Sequence, residues 1–185
     1  SSPLFHGCIQ NRGSLATTFG DYLLSQKYED SRIQPTIALE QTIVVLRRQS
    51  QAPVVAPSPG QVMLASGKTV ISLPQGTLML RSVVWTALMK KNPDPVAALI
   101  GGPFSPEDLP DLDDGKQELL LLEIGEGENI HIEVLSDALF ELLHMTRQPI
   151  GQQELIEKIE AMGMPRAEAE EVLQDISGDG LLEQG

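Results

Sequence analysis

Cysteine, aromatic residues and long apolar runs are all scarce in this chain of 185 residues. The single cysteine, Cys8, excludes an internal disulfide framework and is typical of a reducing compartment. Aromatic side chains make up 4% of the residues, too few for a base-stacking or carbohydrate-binding platform. No apolar run approaches the ~20 residues of a membrane span, and no secretory leader is recognisable. We therefore expect an intracellular, cytoplasmic protein without a membrane partner, with the nucleus as the alternative location.

Positive charge is scarce as well. The chain has 13 Lys and Arg against 26 Asp and Glu, a net charge of −13. Residues 1–110 carry nine cations and seven carboxylates, whereas residues 111–185 carry four and nineteen. A change of this size along a chain indicates a domain boundary. We therefore predict a mixed α+β region over residues 1–110, an acidic linker over residues 111–117 and a second domain over residues 118–185, so that the fold class is α+β.

The first region has the pattern of helices interrupted by one β-hairpin. Apolar residues recur at helical spacing over residues 13–27, 35–49 and 77–91. In the last of these segments, Val83 and Val84 leave a strand as the alternative, because β-branched residues favour strands. Residues 51–60 contain three prolines, which predicts a loop. Apolar residues 61–65 and 69–73 flank a Ser-Gly-Lys turn and predict the hairpin.

The second domain begins with a clearer hairpin pattern. Two apolar segments, Leu119–Ile124 and Ile130–Val134, are separated by a glycine-rich segment, and the second alternates apolar and polar residues. Two apolar segments that flank such a turn, one of them with a period of two, predict a β-hairpin. Near the end of the chain, Gly180-Leu181-Leu182 predicts a turn followed by one more short strand.

Three helices between that hairpin and the last strand have recognisable ends. Ser136 is a favourable N-cap for the first helix, and Gly151 is the N-cap candidate for the second. Gly163 is expected to end the second helix in the left-handed conformation. The third helix is expected to have Pro165 as its first residue and to stop at Gly178. The apolar residues at helical spacing, which we expect to be buried, are Leu135, Leu139, Leu142 and Leu143, then Leu155, Ile156, Ile159 and Met162, then Ala169, Val172, Leu173 and Ile176.

Residues with metal-binding or nucleophilic chemistry form no familiar pattern. His6 and Cys8 lie close in sequence, but no second pair completes a four-ligand zinc site. For His131 and His144, a buried or capping role is more common than metal ligation. The acidic residues 107–115 lack the ligand register of an EF-hand loop, so a linker is the simpler interpretation. We therefore expect no catalytic residue, no metal and no cofactor, and we interpret the chain as non-enzymatic.

The order of elements over Glu118–Gly185 resembles one branch of the winged-helix domains, in which the hairpin precedes the three helices. The residues that carry the resemblance are Leu135-Ser136, Val172-Leu173 and Gly180-Leu181-Leu182. Similar domains are the precursor-recognition domains of enzymes that modify ribosomal peptides, the related chaperone of pyrroloquinoline quinone biosynthesis, and the acidic C-terminal winged helix of ribosomal oxygenases. The resemblance covers about a third of the chain. The metal-binding His-x-Asp…His set of the oxygenases is absent.

The resemblance implies peptide capture. An extended ligand would add a strand to the edge of the hairpin, while its side chains rest on the third helix. On this basis the expected partner-binding residues are Ile130 and Ile132 in the hairpin, with Glu168, Glu171, Gln174 and Asp175 in the third helix. Because most of these helix residues are carboxylates, we expect a protein or peptide partner that carries Lys or Arg.

Winged helices also bind DNA, and here the charge pattern disfavours it. The third helix offers Arg166 against four carboxylates, and the second offers Lys158 against three, so a duplex would be repelled. We predict no direct nucleic-acid contact and favour a protein-interaction module that forms a hetero-oligomer. Because the chain starts at Ser1 instead of Met, we expect a fragment or subunit of a larger protein. Two alternatives stay open: a nucleic-acid-associated subunit of a transcription or replication complex, and an accessory domain of an enzyme whose active site lies elsewhere.

Overall fold

In the computed structural model of the protein, the described residues are 15–51, 56–91, 109–125 and 129–185, together with Glu107 and Gly127. The predictions for His6 and Cys8 lie outside them. So does Asp108 of the acidic segment 107–115. None of the described helices is long and apolar enough to cross a membrane.

The described residues form six helices and six strands, which confirms the α+β fold class. The elements are α1 (Leu15–Leu24), α2 (Ile33–Ser50), β1 (Gln61–Leu64), β2 (Lys68–Gln75), α3 (Thr77–Lys91), β3 (Asp113–Ile124), β4 (Ile130–Val134), α4 (Asp137–Met145), β5 (Ile150–Gly151), α5 (Gln152–Ala161), α6 (Arg166–Gly178) and β6 (Leu182–Gln184). The three helices predicted in the first region are confirmed as α1, α2 and α3. The choice between helix and strand at Val83 and Val84 is thereby settled as helix.

The strands form two antiparallel sheets, with the orders β5-β1-β6 and β2-β3-β4. The hairpin predicted over residues 61–73 is therefore wrong, because β1 and β2 both form but lie in different sheets. β1 is the middle strand of the first sheet, where Val62 pairs with Ile150 on one side and with Gln184 on the other. The last predicted strand is confirmed as β6, and its partner is β1. These partners lie far apart in the sequence, so the apolar pattern of residues 61–65 gives no indication of them.

The chain divides by contacts into two compact units, each built from two segments. The first unit comprises Ser1–Thr42 and Ser72–Glu118, and the second comprises Ile43–Ile71 and Leu119–Gly185. This division differs from the boundary suggested by charge, because residues 43–71, with three cations and no carboxylate, belong with the acidic C-terminal segment. Residues 113–117, predicted as linker, instead form the beginning of β3.

In the first unit, ion pairs and a helix cap hold α3 and the start of α2. The Glu118 carboxylate accepts hydrogen bonds from the backbone N–H groups of Gly76 at 2.8 Å and Leu78 at 3.1 Å. A negative charge at this end of α3 is favoured by the helix dipole. On the next turn of α3, Arg81 donates to the Glu40 carboxylate on α2 at 2.6 Å. Glu118 therefore fixes where α3 begins, and the Arg81 ion pair joins it to α2.

Asp30 and Arg32 form a second ion pair, just before α2. The Arg32 guanidinium donates to both carboxylate oxygens of Asp30, at 2.9 Å from Nε and 2.8 Å from Nη2. The Arg32 backbone N–H donates to the same carboxylate at 2.9 Å. These hydrogen bonds favour the ionised carboxylate and hold the pKa of Asp30 below its ordinary value. The turn before α2 therefore depends on the charge of Asp30.

The second unit has a core formed by α4, α5 and α6 together with strands of both sheets. Its buried residues include Val62, Leu64 and Val70 from the upstream segment, and Leu121, Leu143, Leu155 and Leu173 from the C-terminal segment. The β3–β4 hairpin is confirmed, with Leu120 opposite Val134 and Ile124 opposite Ile130. Upstream residues 61–70 are therefore part of the same core as the three C-terminal helices.

The helix ends of the second unit follow the sequence closely. The Ser136 hydroxyl accepts from the backbone N–H of Leu139 at 3.4 Å, and Gly151 is the N-cap of α5, so both caps are confirmed. Gly163 has φ of 100°, and the N–H of Met164 donates to the carbonyl of Ile159, which completes a Schellman motif.

The two ends of α6 compare differently with the prediction. Pro165 is the N-cap of α6 and not its first residue. The helix stops at Gly178, as predicted, and the left-handed residue that follows it is Gly180, with φ of 70°. The proline rule therefore locates the start of α6 to within one residue.

Candidate functional site

An apolar groove lies in the second unit, with α4 on one side and the end of α5 with α6 on the other. Its volume is about 300 Å³, at the small end of the range of ligand pockets. No charged side chain is among the residues that line it, which are Ser136, Ala138, Leu139, Leu142, Ile159, Met162, Met164 and Val172. The groove can therefore remove apolar side chains of a ligand from water without burying a charge.

Met162 is the lining residue that differs most from its prediction. It was expected in the buried stripe of α5, but 55% of it is exposed, so that prediction is wrong. The buried stripe ends at Ile159, because α5 itself ends at Ala161 and Met162 is its C-cap. A methionine has a flexible, polarisable side chain that adapts to differently shaped apolar ligands. An exposed methionine in an apolar groove is therefore a better candidate for ligand contact than for core packing.

The exposed residues of α6 are divided between two flanks of the helix. Because successive helical residues are rotated by about 100°, Glu168 and Asp175 lie on the same flank as Val172, which lines the groove. Gln174 lies on the opposite flank, beyond the buried stripe, and Glu171 lies on the outer face. Of the four predicted α6 residues, two therefore flank the groove and two do not.

Gln174 instead lines a second cavity of the second unit, with a volume of about 640 Å³. Its lining is mostly polar and comprises Gly60, Gln152, Gln153, Ile156, Arg166, Glu170, Gln174 and Gln184. Three side chains of this cavity pair with one another, since Arg166 donates to Gln153 at 2.8 Å and to Glu170 at 3.0 Å. A ligand that used these groups would have to displace those hydrogen bonds, whereas the apolar groove takes up apolar side chains without that cost and is the better candidate site.

The predicted hairpin residues Ile130 and Ile132 lie on β4, the outer strand of its sheet. The Gly125 N–H donates to Asn129, and the Leu135 N–H donates to Leu119, so hydrogen-bonded pairs occur at odd-numbered residues of β4. Because such pairs alternate along an antiparallel ladder, the backbone groups of Ile130, Ile132 and Val134 point away from β3. No strand of the described chain pairs with that edge. The groove begins at Ser136, two residues after β4 ends.

The cations of α5 and α6 both have carboxylate neighbours. The Lys158 ammonium lies 3.0 Å from Glu154, one helical turn away. The Arg166 guanidinium donates to Glu170 at 3.0 Å and lies 3.7 Å from Glu160. These two helices, which are described in full, contain no other Lys or Arg. A phosphate group would therefore have to compete with carboxylates for each cation.

The described histidines pack against neighbouring residues at the surface. The ring of His131 lies so close to Gly125 that a Cβ there would be 2.7 Å from Cδ2 of the imidazole. His144 lies in the last turn of α4 and stacks on Phe140, with 5.8 Å between ring centroids. Both are exposed, so a buried role is excluded for each. Among the described residues, no group of three His, Cys, Asp or Glu side chains could hold a metal ion.

The sequence matches no model of a known protein family, and no curated protein matches it. In the part of the chain that the structure describes, the features on which a function can be argued are the apolar groove, the carboxylates beside it and the outer edge of β4.

Proposed function

We propose that the second unit is a winged-helix module that binds a polypeptide partner and catalyses no reaction. The observation that carries this proposal is the uncharged apolar groove between α4 and α6, with Glu168 and Asp175 on the flank of α6 that borders it. A partner segment with apolar side chains and neighbouring Lys or Arg fits this surface. Its apolar groups leave water in the groove, and its cations approach the carboxylates.

The order of elements in the second unit supports the winged-helix assignment. The hairpin β3–β4 is followed by α4, the short strand β5, the helices α5 and α6, and β6. In a winged-helix module the small sheet packs beside the last two helices, and here β5 and β6 are joined by β1 from upstream. In this proposal β1 is thus a structural part of the module, which extends beyond Glu118–Gly185.

The outer edge of β4 suggests how the partner binds. An extended segment can pair with the outward backbone groups of Ile130, Ile132 and Val134 and so add a strand to the sheet. Val134 is 62% exposed, and the groove starts two residues further on at Ser136. The edge and the groove are separated in sequence by Leu135 alone, and we propose that one extended partner segment uses both.

The charges of the second unit favour a polypeptide over DNA. Affinity for a duplex depends on Lys and Arg that neutralise phosphates. Lys158 and Arg166 are each paired with carboxylates, and Glu168, Glu171 and Asp175 are exposed on α6. We propose that the partner is another intracellular polypeptide that carries Lys or Arg.

A pair of matched substitutions tests the groove. The probe is a short fluorescent peptide in which leucine and lysine alternate, and its binding to the full chain is measured by fluorescence anisotropy. Met162→Gln places a polar amide in the groove without adding a carboxylate that could attract the lysines of the probe, and it should weaken binding by about tenfold, or ~1.4 kcal/mol. Met79→Gln is the control, because Met79 lies on α3 of the other unit and is 56% exposed, against 55% for Met162.

The comparison has two informative outcomes. If Met162→Gln binds the probe weakly and Met79→Gln binds it as the unchanged protein does, the groove is the binding site. If all three proteins bind with the same affinity, or if none binds, the proposed function is wrong.

A further inference from the structure

The sequence of β4 is complementary to itself when it is read in the opposite direction. Its five residues are Ile130-His131-Ile132-Glu133-Val134, so the basic and acidic residues lie one on each side of the central isoleucine. Edge strands are often protected against pairing by charged side chains such as Lys, which repel a second copy. This strand carries an imidazole and a carboxylate instead, and these two groups can hydrogen-bond to each other. We propose that β4 pairs with β4 of a second copy of the chain, antiparallel and centred on Ile132.

The backbone of β4 satisfies the geometry of this pairing. With the two-fold axis at Ile132, the central residue meets its own copy, and Ile130 meets Val134 of the second copy. These are the residues whose N–H and C=O groups point away from β3. Each such pair can exchange two hydrogen bonds, as antiparallel hydrogen-bonded pairs do. The dimer therefore uses backbone groups that the described sheet leaves at its edge.

The side chains select this register over its neighbours. His131 lies opposite Glu133 of the second copy, and Glu133 opposite His131, in the pairs whose Cα atoms approach to about 4.5 Å. Both side chains are exposed, so the imidazole N–H can donate to the carboxylate across the two-fold axis. Moving the axis by one residue would place His131 opposite His131, or Glu133 opposite Glu133. Two carboxylates directly opposite each other repel, and two imidazoles would lose the carboxylate acceptor that the proposed register provides.

Glu123 and Lys68, two charged residues near His131, are already paired with each other. Glu123, on β3, lies opposite His131 of β4, and its carboxylate contacts the Lys68 ammonium on β2. The charge of Glu123 is therefore compensated by Lys68 within the sheet. Glu133 of the second copy is the carboxylate that His131 would meet in the dimer. Val134, which is largely exposed in one copy, would be covered by Ile130 of the other.

The contact is small, so the dimer should form only at high protein concentration. A single pair of short strands buries less area than a stable interface requires. The same edge is the one along which we propose that a peptide binds, so a bound peptide would compete with the second copy. The dimer itself rests on β4 alone and does not depend on the proposed function.

Sedimentation equilibrium of the full chain, without any peptide, tests this inference. The unchanged protein should show a monomer–dimer equilibrium at concentrations up to about 1 mM. His131→Glu brings two pairs of carboxylates together and should weaken association by about tenfold. The exchanged variant, His131→Glu with Glu133→His, recreates both pairs with the residues reversed and should restore association. Circular dichroism of each variant verifies that these exposed substitutions leave the fold intact.

Restored association of the exchanged variant distinguishes specific strand pairing from nonspecific association. If the chain stays monomeric at every concentration, or if the single and exchanged variants associate equally, β4 does not pair with itself. If the single variant is impaired and the exchanged variant recovers, the register centred on Ile132 is supported, whether or not the groove binds a peptide.

Discussion

Replacing Val62 with alanine should destabilise the second unit, although Val62 lies far upstream of the C-terminal helices. Val62 is 1% exposed and is the middle residue of a three-strand arrangement with Ile150 and Gln184. The substitution removes two methyl groups at ~0.8 kcal/mol each and leaves a small cavity, so the expected loss is about 2 kcal/mol. For a domain of this size the melting temperature should fall by about 10 °C.

Amide hydrogen exchange in the full chain shows where the loss occurs. If β1 is the middle strand, Val62→Ala should increase exchange in β6, around Glu183, as well as in β1 itself. Val134→Ala is the matched control, because it makes the same chemical change at a residue that is 62% exposed and should cost less than about 0.5 kcal/mol. Equal stability of the two variants, with unchanged exchange in β6, would refute the reasoning.

Three further substitutions test local features of the fold and the site. Gly163→Ala should cost about 1 kcal/mol in urea unfolding, because φ is 100° there, whereas Gly178→Ala, in open space within α6, should be neutral or stabilising. The pKa of Asp30 is lowered in the folded chain, so its contribution to stability is fully present above its ordinary pKa and is lost as the pH falls from there through the lowered pKa. Asp30→Asn should remove that part of the pH dependence of urea unfolding. Asp175→Lys should weaken binding of the lysine-containing probe several-fold, which corresponds to up to ~1 kcal/mol. Glu157→Lys, on the outer face of α5, makes the same change of charge and should leave binding unchanged. Equal effects of the two substitutions would show that only the net charge of the protein matters.

Helix ends in the second unit are predictable because neighbouring residues determine them. Ser136 caps α4 through its own hydroxyl, and Gly163 ends α5 because a left-handed residue is favourable mainly for glycine. The error at Pro165 is equally local, because proline fits the N-cap as well as the first helical position.

The partner of β1 could not be predicted in the same way. The apolar pattern of residues 61–65 indicates a strand, and the next strand in the sequence is the natural partner. In the structure the pairing with Ile150 and Gln184 occurs instead, and it brings Val62 and Leu64 into the core with α4, α5 and α6. Such a choice depends on contacts between distant residues, which a single sequence does not display.

The candidate site was predictable only in part. Ile130 and Ile132 are placed on a strand by their alternating pattern, and that strand proves to be an outer one. The groove, in contrast, exists because the apolar stripes of α4 and α6 do not meet fully, and this depends on how the helices are placed. Helical spacing therefore assigned Met162 to the core, although it lines the groove and is exposed.

The central claim is that the second unit binds an apolar, basic polypeptide and not a polyanion. Parallel titrations of the full chain with the leucine–lysine probe and with a labelled DNA duplex test it most directly, each at low and at physiological salt. We expect saturable binding of the peptide that weakens with salt, because the carboxylates of α6 contribute to it, and no binding of the duplex. Saturable binding of the duplex, with no binding of the peptide at either salt concentration, would contradict the claim.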